Sequence, residues 1–173
     1  MLLFRYFLTI AMVVMLCGCA AQINERTSIK STEATASNVS VLLEVQPLER
    51  IDESKSLTTS IAELKKVISK KYLGSIASAS ENPKPEALLK ITIEQFRHVS
   101  GFGRFMAGSM VGDAVLKLNV KLIAVADGRV IHESTLDTQS SFGEGVFGAT
   151  TSRQIEAMSV KIIDILNSNT AKS

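Results

Sequence analysis

Residues 114–131 read AVLKLNVKLIAVADGRVI, and this stretch decides the fold of the chain. Apolar and polar side chains alternate over residues 114–125, with Leu116, Leu118, Val120 and Leu122 on one side and Lys117, Asn119 and Lys121 on the other. A period of two predicts a strand with one buried face. Asp127-Gly128 then predicts a tight hairpin turn, because glycine tolerates the positive φ that primed turns require. We therefore expect residues 129–141 to form the antiparallel partner of this strand.

The sequence on either side of the hairpin predicts further strands and two helices. Short β-branched or alternating runs indicate strands, and apolar residues at helical spacing indicate amphipathic helices. The last helix begins at Thr151-x-x-Gln154, which fits a capping box. In chain order the predicted elements are a strand at 39–45, a helix at 55–73, a strand at 88–99, the two hairpin strands and a helix at 151–168. This β-α-β-β-β-α order predicts an α+β two-layer sandwich, in which a mostly antiparallel four-stranded sheet carries two helices on one face.

The first 18 residues have the layout of a secretory signal. A short segment carrying Arg5 precedes an apolar run, and small residues follow before Cys19. The apolar run at residues 7–16 is well short of the roughly 20 residues that a membrane-spanning helix needs. These residues therefore predict a cleaved leader and not a transmembrane helix.

The end of the leader, Leu16-Cys17-Gly18-Cys19, resembles a bacterial lipoprotein signal. The resemblance implies cleavage before Cys19, which then receives a diacylglyceryl group and usually a third acyl chain, while Cys17 is removed. Several acyl chains hold a protein firmly on a bilayer, whereas one holds it only marginally. Lipoproteins kept at the inner membrane typically carry Asp after the cysteine, and this chain has Ala20. The resemblance therefore implies attachment to the periplasmic face of the outer membrane.

Composition divides the remaining chain into a tether and one domain. Residues 19–37 comprise the lipidated cysteine followed by a polar stretch rich in Ser and Thr, which predicts a flexible tether. Residues 38–170 are long enough for a single periplasmic domain with its own core.

Several function classes are disfavoured by the residues present. The chain carries 19 Lys and Arg against 17 Asp and Glu, a balance that argues against a nucleic-acid surface. After removal of Cys17 and acylation of Cys19, the mature domain has no thiol for a disulfide, a metal or a nucleophile. His98 and His132 lie in separate strands without metal-ligand spacing, and no nucleophile elbow is present. We therefore expect no enzymatic activity, no catalytic residue, no cofactor and no metal.

Glycines concentrate in two connections, one between the second and third predicted strands and one before the last helix. Because the hairpin strands have their open ends together, we expect the two connections to be neighbours. Three interpretations remain: a structural role for the glycines, an adaptable protein-contact surface, and a phosphate site. The candidate contact residues are Phe102, Arg104, Phe105, Met106, Phe142 and Phe147.

The domain resembles the bacterial lipoproteins of domain-of-unknown-function family 4410. The resemblance spans about residues 39–168 and includes Gly103-Arg104-Phe105, the alternating strand, and Asp127-Gly128-Arg129-Val130-Ile131. Usual members have an extra residue or two in the hairpin, so the turn is tighter in this chain. No catalytic residue is established for that family, and the resemblance therefore implies none here.

Taken together, these features predict an outer-membrane-anchored periplasmic lipoprotein that binds another envelope protein or assists an envelope assembly. The membrane partner is contacted through the lipid on Cys19. The alternative is a periplasmic domain that binds a small or lipid-like ligand between its sheet and helices.

Overall fold

The computed structural model describes residues 23–30, 39–77, 85–98, 114–139 and 151–170. These residues form an α+β structure with one mixed sheet and two helices. The elements are β1 (Ile23–Lys30), β2 (Ser40–Pro47), α1 (Lys55–Lys71), β3 (Ser75–Ala77), β4 (Ala87–Arg97), β5 (Val115–Ala124), β6 (Val130–Gln139) and α2 (Thr151–Thr170). The strand order across the sheet is β1-β6-β5-β4-β2-β3.

The predicted hairpin is present between β5 and β6. Leu118 pairs with Leu136 and Val120 with Ser134 in an antiparallel ladder. Gly128 has a φ of 72°, and its backbone N–H donates to the carbonyl of Ala124 at 2.9 Å. The alternating apolar residues of β5 are at most 2% exposed. The period-two pattern therefore identified both the strand and its buried face.

The prediction of a four-stranded, mostly antiparallel sheet is wrong in detail, because the sheet has six strands and is mixed. β2 lies parallel to β4 and to the short edge strand β3. A parallel pair needs a crossover connection, and α1 supplies it by carrying the chain back along the sheet. The three residues of β3 are too few to show a strand period.

β1 is the second additional strand, and it lies within residues 19–37, where a flexible tether was predicted. Its residues 23–30 pair antiparallel with β6, with a register shift between Thr27 and Ile29. The segment INERTSIK is mostly polar because β1 is an exposed edge strand, so it has no apolar alternation. The tether prediction is corrected for these eight residues.

The core lies between the sheet and the two helices. Leu57, Leu64 and Ile68 of α1 and Met158 and Ile162 of α2 are buried against the helix-facing side of the sheet. Ser54 caps α1, since its hydroxyl accepts a hydrogen bond from the backbone N–H of Leu57 at 3.1 Å. Of the helices in the described part of the chain, none is both long and apolar enough to cross a membrane.

Candidate functional site

One end of the sheet gathers the start of β1 and the residues that bracket both glycine-containing connections. We call it the connection end. Arg97 at the end of β4 pairs with Val115, and Val115 pairs with Gln139 at the end of β6. Ile23 pairs with Thr138, so β1 also begins here. The opposite end, where β5 turns into β6, is called the hairpin end.

The first turn of α2 is tied to the connection end by a buried hydrogen bond. The side-chain Nε2 of Gln154 donates to the carbonyl of Ala114, the residue before β5, at 3.0 Å. Gln154 is fully buried, and its Oε1 has no hydrogen-bond partner among the described residues. The Gln154 side chain therefore serves a tertiary contact and not the predicted capping box.

The arrangement of the strand ends supports the expected proximity of the two connections. Residues 99–113 leave from β4 and return at β5, and residues 140–150 leave from β6 at the same end. The candidate contact residues on these connections and the lipidation candidate lie outside the described residues; they are Cys19, Phe102, Arg104, Phe105, Met106, Phe142 and Phe147. Their roles remain predictions.

A cavity of about 530 Å³ opens at the connection end, between the first turns of the two helices. It is lined by Lys55, Ser56, Thr59, Ser60, Glu63, His98, Thr151 and Ser152. Its polar groups are hydroxyls, one ammonium group, one carboxylate and one imidazole, and they lie among a larger apolar area. His98, which follows β4, is exposed, and its ring centroid lies 6.4 Å from that of Phe96. The volume lies within the ordinary range for small-molecule pockets.

The other histidine lies in a smaller cavity of about 260 Å³ between β1, β6 and α2. His132 is only 4% exposed, and its Nε2 lies 3.0 Å from the hydroxyl of Ser134. Lys161 of α2 forms an ion pair with Glu25 of β1 at 2.7 Å. The hydrogen bond from Lys161 lowers the pKa of Glu25, against the opposing effect of burial. This ion pair holds the edge strand β1 against α2.

The described residues contain no group of three or more His, Cys, Asp or Glu side chains placed to hold a metal ion. Two acidic residues of the hairpin formed by β5 and β6 have local partners. Asp127 Oδ1 accepts a hydrogen bond from the backbone N–H of Arg129 at 3.0 Å in the hairpin. Glu133 is paired with Lys121 across the sheet at 3.0 Å.

The outer face of the sheet, opposite the helices, carries an apolar row near the hairpin end. Leu42 pairs with Leu88, Leu88 with Ile123, and Ile123 with Val130. Each of the four lies next to a residue that faces the core, so all four point to the outer side. All four are partly exposed. The apolar row crosses four adjacent strands: β2, β4, β5 and β6.

A charged row lies beside the apolar row on the same outer face. In neighbouring strands Glu44 pairs with Lys90, Lys90 with Lys121, and Lys121 with Glu133. Like charges directly opposite each other destabilise a sheet, so the flanking acids offset the contact between the two lysines. The hydrogen bond from Lys121 lowers the pKa of Glu133, and Asn119 Nδ2 also donates to Glu133 Oε1 at 3.3 Å. The charged row therefore presents positive and negative side chains in a fixed order across the sheet.

The two rows on the outer face were not predicted from the sequence, although a signal for the apolar row was present. Leu88, Ile123 and Val130 fall at positions that the core alternation of their strands leaves for the solvent side. An apolar residue at such a position in each of several strands is the pattern that marks a second apolar surface.

Comparison with known proteins identifies similar structures but no family. No protein-family model matches the chain, and no curated protein matches it. A PelC dodecamer from Paraburkholderia phytofirmans is 13% identical, with a TM-score of 0.57, over 87% of this chain and 100% of that one. A variant of the same PelC gives 12% identity and a TM-score of 0.56 over the same shares. A DUF330 protein from Xanthomonas campestris gives 17% identity and a TM-score of 0.44, over 82% of this chain and 97% of that one. At these identities the PelC structures show a shared fold.

Proposed function

We propose that this chain is a non-enzymatic outer-membrane lipoprotein, anchored through Cys19, whose periplasmic domain acts as a protein-binding module in an envelope assembly. Within that role, copies of the chain associate with one another through the outer face of the sheet. The observation that carries the proposal is the apolar row beside the charged row on a sheet face that neither helix covers.

The chemistry of the outer face supports a protein partner. Protein interfaces combine an apolar centre with a polar rim, and most of their affinity comes from a few buried anchors. Leu88 and Ile123 lie in the middle of the apolar row and supply such a centre. Lys90, Lys121 and Glu133 supply charges of both signs beside it, which favours a partner with a matching pattern.

The comparison supports a second copy of the chain as that partner. PelC, which shares this fold, forms a dodecamer. A domain of this architecture is therefore able to assemble with copies of itself, and among the described residues the outer face has an apolar centre beside charges of both signs, which suits such an assembly.

The test of self-association is chemical cross-linking of the lipidated chain in native envelopes, followed by mass measurement of the purified protein in detergent. We expect discrete oligomers for the wild type and loss of those oligomers for Ile123→Lys. Val160→Lys is the matched control, because Val160 is a 44% exposed apolar residue on α2, away from the outer face. Unchanged oligomers in a folded Ile123→Lys protein, or a wild type recovered only as a monomer, would count against self-association.

The anchor is tested separately by fractionating envelopes that contain Cys19→Ser. We expect the wild type in the outer-membrane fraction and the variant in the soluble periplasmic fraction. Unchanged membrane partition of the variant would contradict the lipid anchor and leave the outer-face proposal standing.

The cavity of about 530 Å³ at the connection end favours a second candidate, a domain that binds a small or lipid-like ligand. Native mass spectrometry of the purified protein separates the two candidates. A co-purifying small molecule that is lost on Ser60→Phe supports ligand binding, whereas oligomers without added mass support the protein-binding module.

A further inference from the structure

The outer face of β4 carries two opposite charges, one on each side of an apolar residue. In the segment Glu86-Ala87-Leu88-Leu89-Lys90, Ala87 and Leu89 are buried in the core, so the other three residues lie on the outer face. Glu86 is exposed, whereas Leu88 and Lys90 are partly exposed. We call Glu86, Leu88 and Lys90 the β4 triplet.

Glu86 is held in the plane of the sheet although it precedes the first residue of β4. Its backbone N–H donates to the carbonyl of Ser40 at 2.9 Å, and its own carbonyl accepts from the N–H of Val125 at 2.9 Å. These bonds continue the pairing of β4 with β2 and β5 by one residue. Val125, which is 45% exposed, lies beside Glu86 and extends the apolar surface toward the hairpin end.

The two charges of the β4 triplet are too far apart to pair with each other. Four residues of a strand span about 13 Å, whereas the nitrogen and oxygen of an ion pair lie within about 4 Å. Within the described part of the chain, neither Glu86 nor Lys90 forms an ion pair with another residue. In contrast, Lys121 of the charged row is paired with Glu133 at 3.0 Å. The two triplet charges are therefore available to a partner.

The β4 triplet is complementary to a second copy of itself. In a two-fold symmetric interface, each contact between one residue and a second residue occurs twice. With the axis parallel to the apolar row and passing over Leu88, the β4 strands of the two copies cross in opposite directions. Leu88 then faces Leu88 of the second copy, and Lys90 faces Glu86 of the second copy. Stacked sheets lie about 10 Å apart with interdigitating side chains, so these groups are brought into contact.

The alternative two-fold stacking, with the axis parallel to the strands, is disfavoured by the charged row. The charges of Glu44, Lys90, Lys121 and Glu133 are negative, positive, positive and negative, an order that reads the same from either end. An axis between β4 and β5 would place Lys90 against Lys121 of the second copy and Glu44 against Glu133. Like charges placed opposite each other suppress association. The charge pattern therefore favours the axis over Leu88.

We propose that two copies of the chain pack outer face to outer face about a two-fold axis over Leu88, with Lys90 of each copy paired with Glu86 of the other. This inference rests on the self-association proposed above and names the residues that orient the two copies. The apolar row supplies the buried centre of the contact, and the two charge pairs flank it and fix its direction.

The test is an exchange of charge in the full chain, purified in detergent and measured by native mass spectrometry over a dilution series. Glu86→Lys and Lys90→Glu each place like charges opposite each other at both symmetry-related contacts. We expect each to raise the dissociation constant of the dimer about tenfold or more. The combined variant, Glu86→Lys with Lys90→Glu, restores opposite charges and should dissociate as the wild type does. Lys65→Glu is the matched control, because Lys65 is exposed on α1, away from the outer face.

Mixing the two single variants gives a second readout. The Glu86→Lys protein has lysine at both charged positions of the triplet, and the Lys90→Glu protein has glutamate at both. Each should dissociate when alone, whereas an equimolar mixture should form mixed dimers, since the two surfaces are complementary. The preference for mixed dimers should shrink at high salt, which screens partly exposed charges. Mixed dimers also show that both variants are folded.

The outcomes separate the failure of this pairing from the failure of self-association. Wild-type oligomers that persist in both single variants, or a combined variant as weak as the single ones, would overturn the pairing and leave self-association standing. An absence of mixed dimers, with both variants unfolding in urea at the wild-type midpoint, would do the same. A wild type that is monomeric at every concentration, or that associates only with a different protein, would overturn both.

Discussion

The ring of Tyr72 occupies the space that a side chain at position 74 would need. A Cβ atom built on Gly74 would lie 2.6 Å from two ring atoms of Tyr72. The same tyrosine is 7% exposed, and its hydroxyl donates to the carbonyl of Val39 at 3.1 Å. Tyr72 therefore joins the end of α1 to the start of β2, and Gly74 allows the chain to turn over the ring into β3.

Gly74→Ala is expected to destabilise the domain by about 1–3 kcal/mol, because the added methyl group overpacks the ring of Tyr72. The measurement is urea unfolding of the mature chain carrying Cys19→Ser. In a Tyr72→Leu background the same substitution is expected to cost clearly less, since the obstructing ring is gone. Equal costs in the two backgrounds would show that the ring is not the obstacle.

Gly128→Ala is expected to cost about 1–2 kcal/mol for a different reason. Gly128 has a φ of +72°, and a Cβ atom there would meet nothing within 4 Å. The expected loss of stability therefore comes from backbone strain, because an L-residue with a Cβ atom is disfavoured in the left-handed region. Gly128→Asn should cost less than Gly128→Ala, because asparagine adopts this region more readily. Thermal unfolding of the three proteins checks the order, and an equal loss for the two variants would contradict the strain argument.

Gln154→Leu is expected to destabilise the domain by about 1–3 kcal/mol, because it leaves the buried carbonyl of Ala114 without this donor. Ser152→Ala, at an exposed position two residues earlier, is the control and should change stability by less than about 0.5 kcal/mol. Chemical unfolding measures both variants. A Gln154→Leu protein as stable as the control would show that α2 is not fastened to β5 through this hydrogen bond.

The ion pair between Glu25 and Lys161 predicts a pH-dependent contribution to stability. The pKa of Glu25 is lowered from 4.5 in the folded protein, so its contribution is present above pH 4.5 and is lost as the pH falls through the lowered value. For a partly exposed pair we expect Glu25→Gln to cost about 0.2–1 kcal/mol at pH 7 and less at pH 3. Unfolding measured at both pH values checks this. The difference should vanish in a Lys161→Met background, and a cost that does not change with pH would argue against the pairing.

The elements that the sequence predicted best are those with a strong internal period. Leu116, Leu118 and Val120 alternate because β5 is central and one of its faces is buried, and that pattern is visible without any tertiary information. β1 has no such pattern, because its position is set by pairing with β6 more than 100 residues away. The parallel pairing of β2 with β4 is likewise a property of the crossover and not of the residues in either strand.

The two candidate surfaces also differ in how far the sequence could predict them. The strand ends that bracket the two glycine-containing connections are neighbours because of the hairpin, so their proximity was predictable from Asp127-Gly128 and the strand periods. The apolar row could not be assembled from sequence, because it depends on the registers that bring Leu42, Leu88 and Ile123 side by side. A shift of one residue in any of these registers would move the aligned side chain to the opposite face.

The pairing of β1 with β6 also predicts an order of events in folding. β1 is synthesised first, yet Ser28 bonds to the carbonyl of Glu133, 105 residues later in the chain. Closing so large a loop is slow compared with forming the β5–β6 hairpin, and it cannot begin until β6 has been made. We therefore expect the strand nearest the N-terminus to be the last to join the sheet. In the proposed lipoprotein, we expect Cys19 to be modified while β1 is still unpaired, so that acylation precedes the step that draws the finished domain against its anchor.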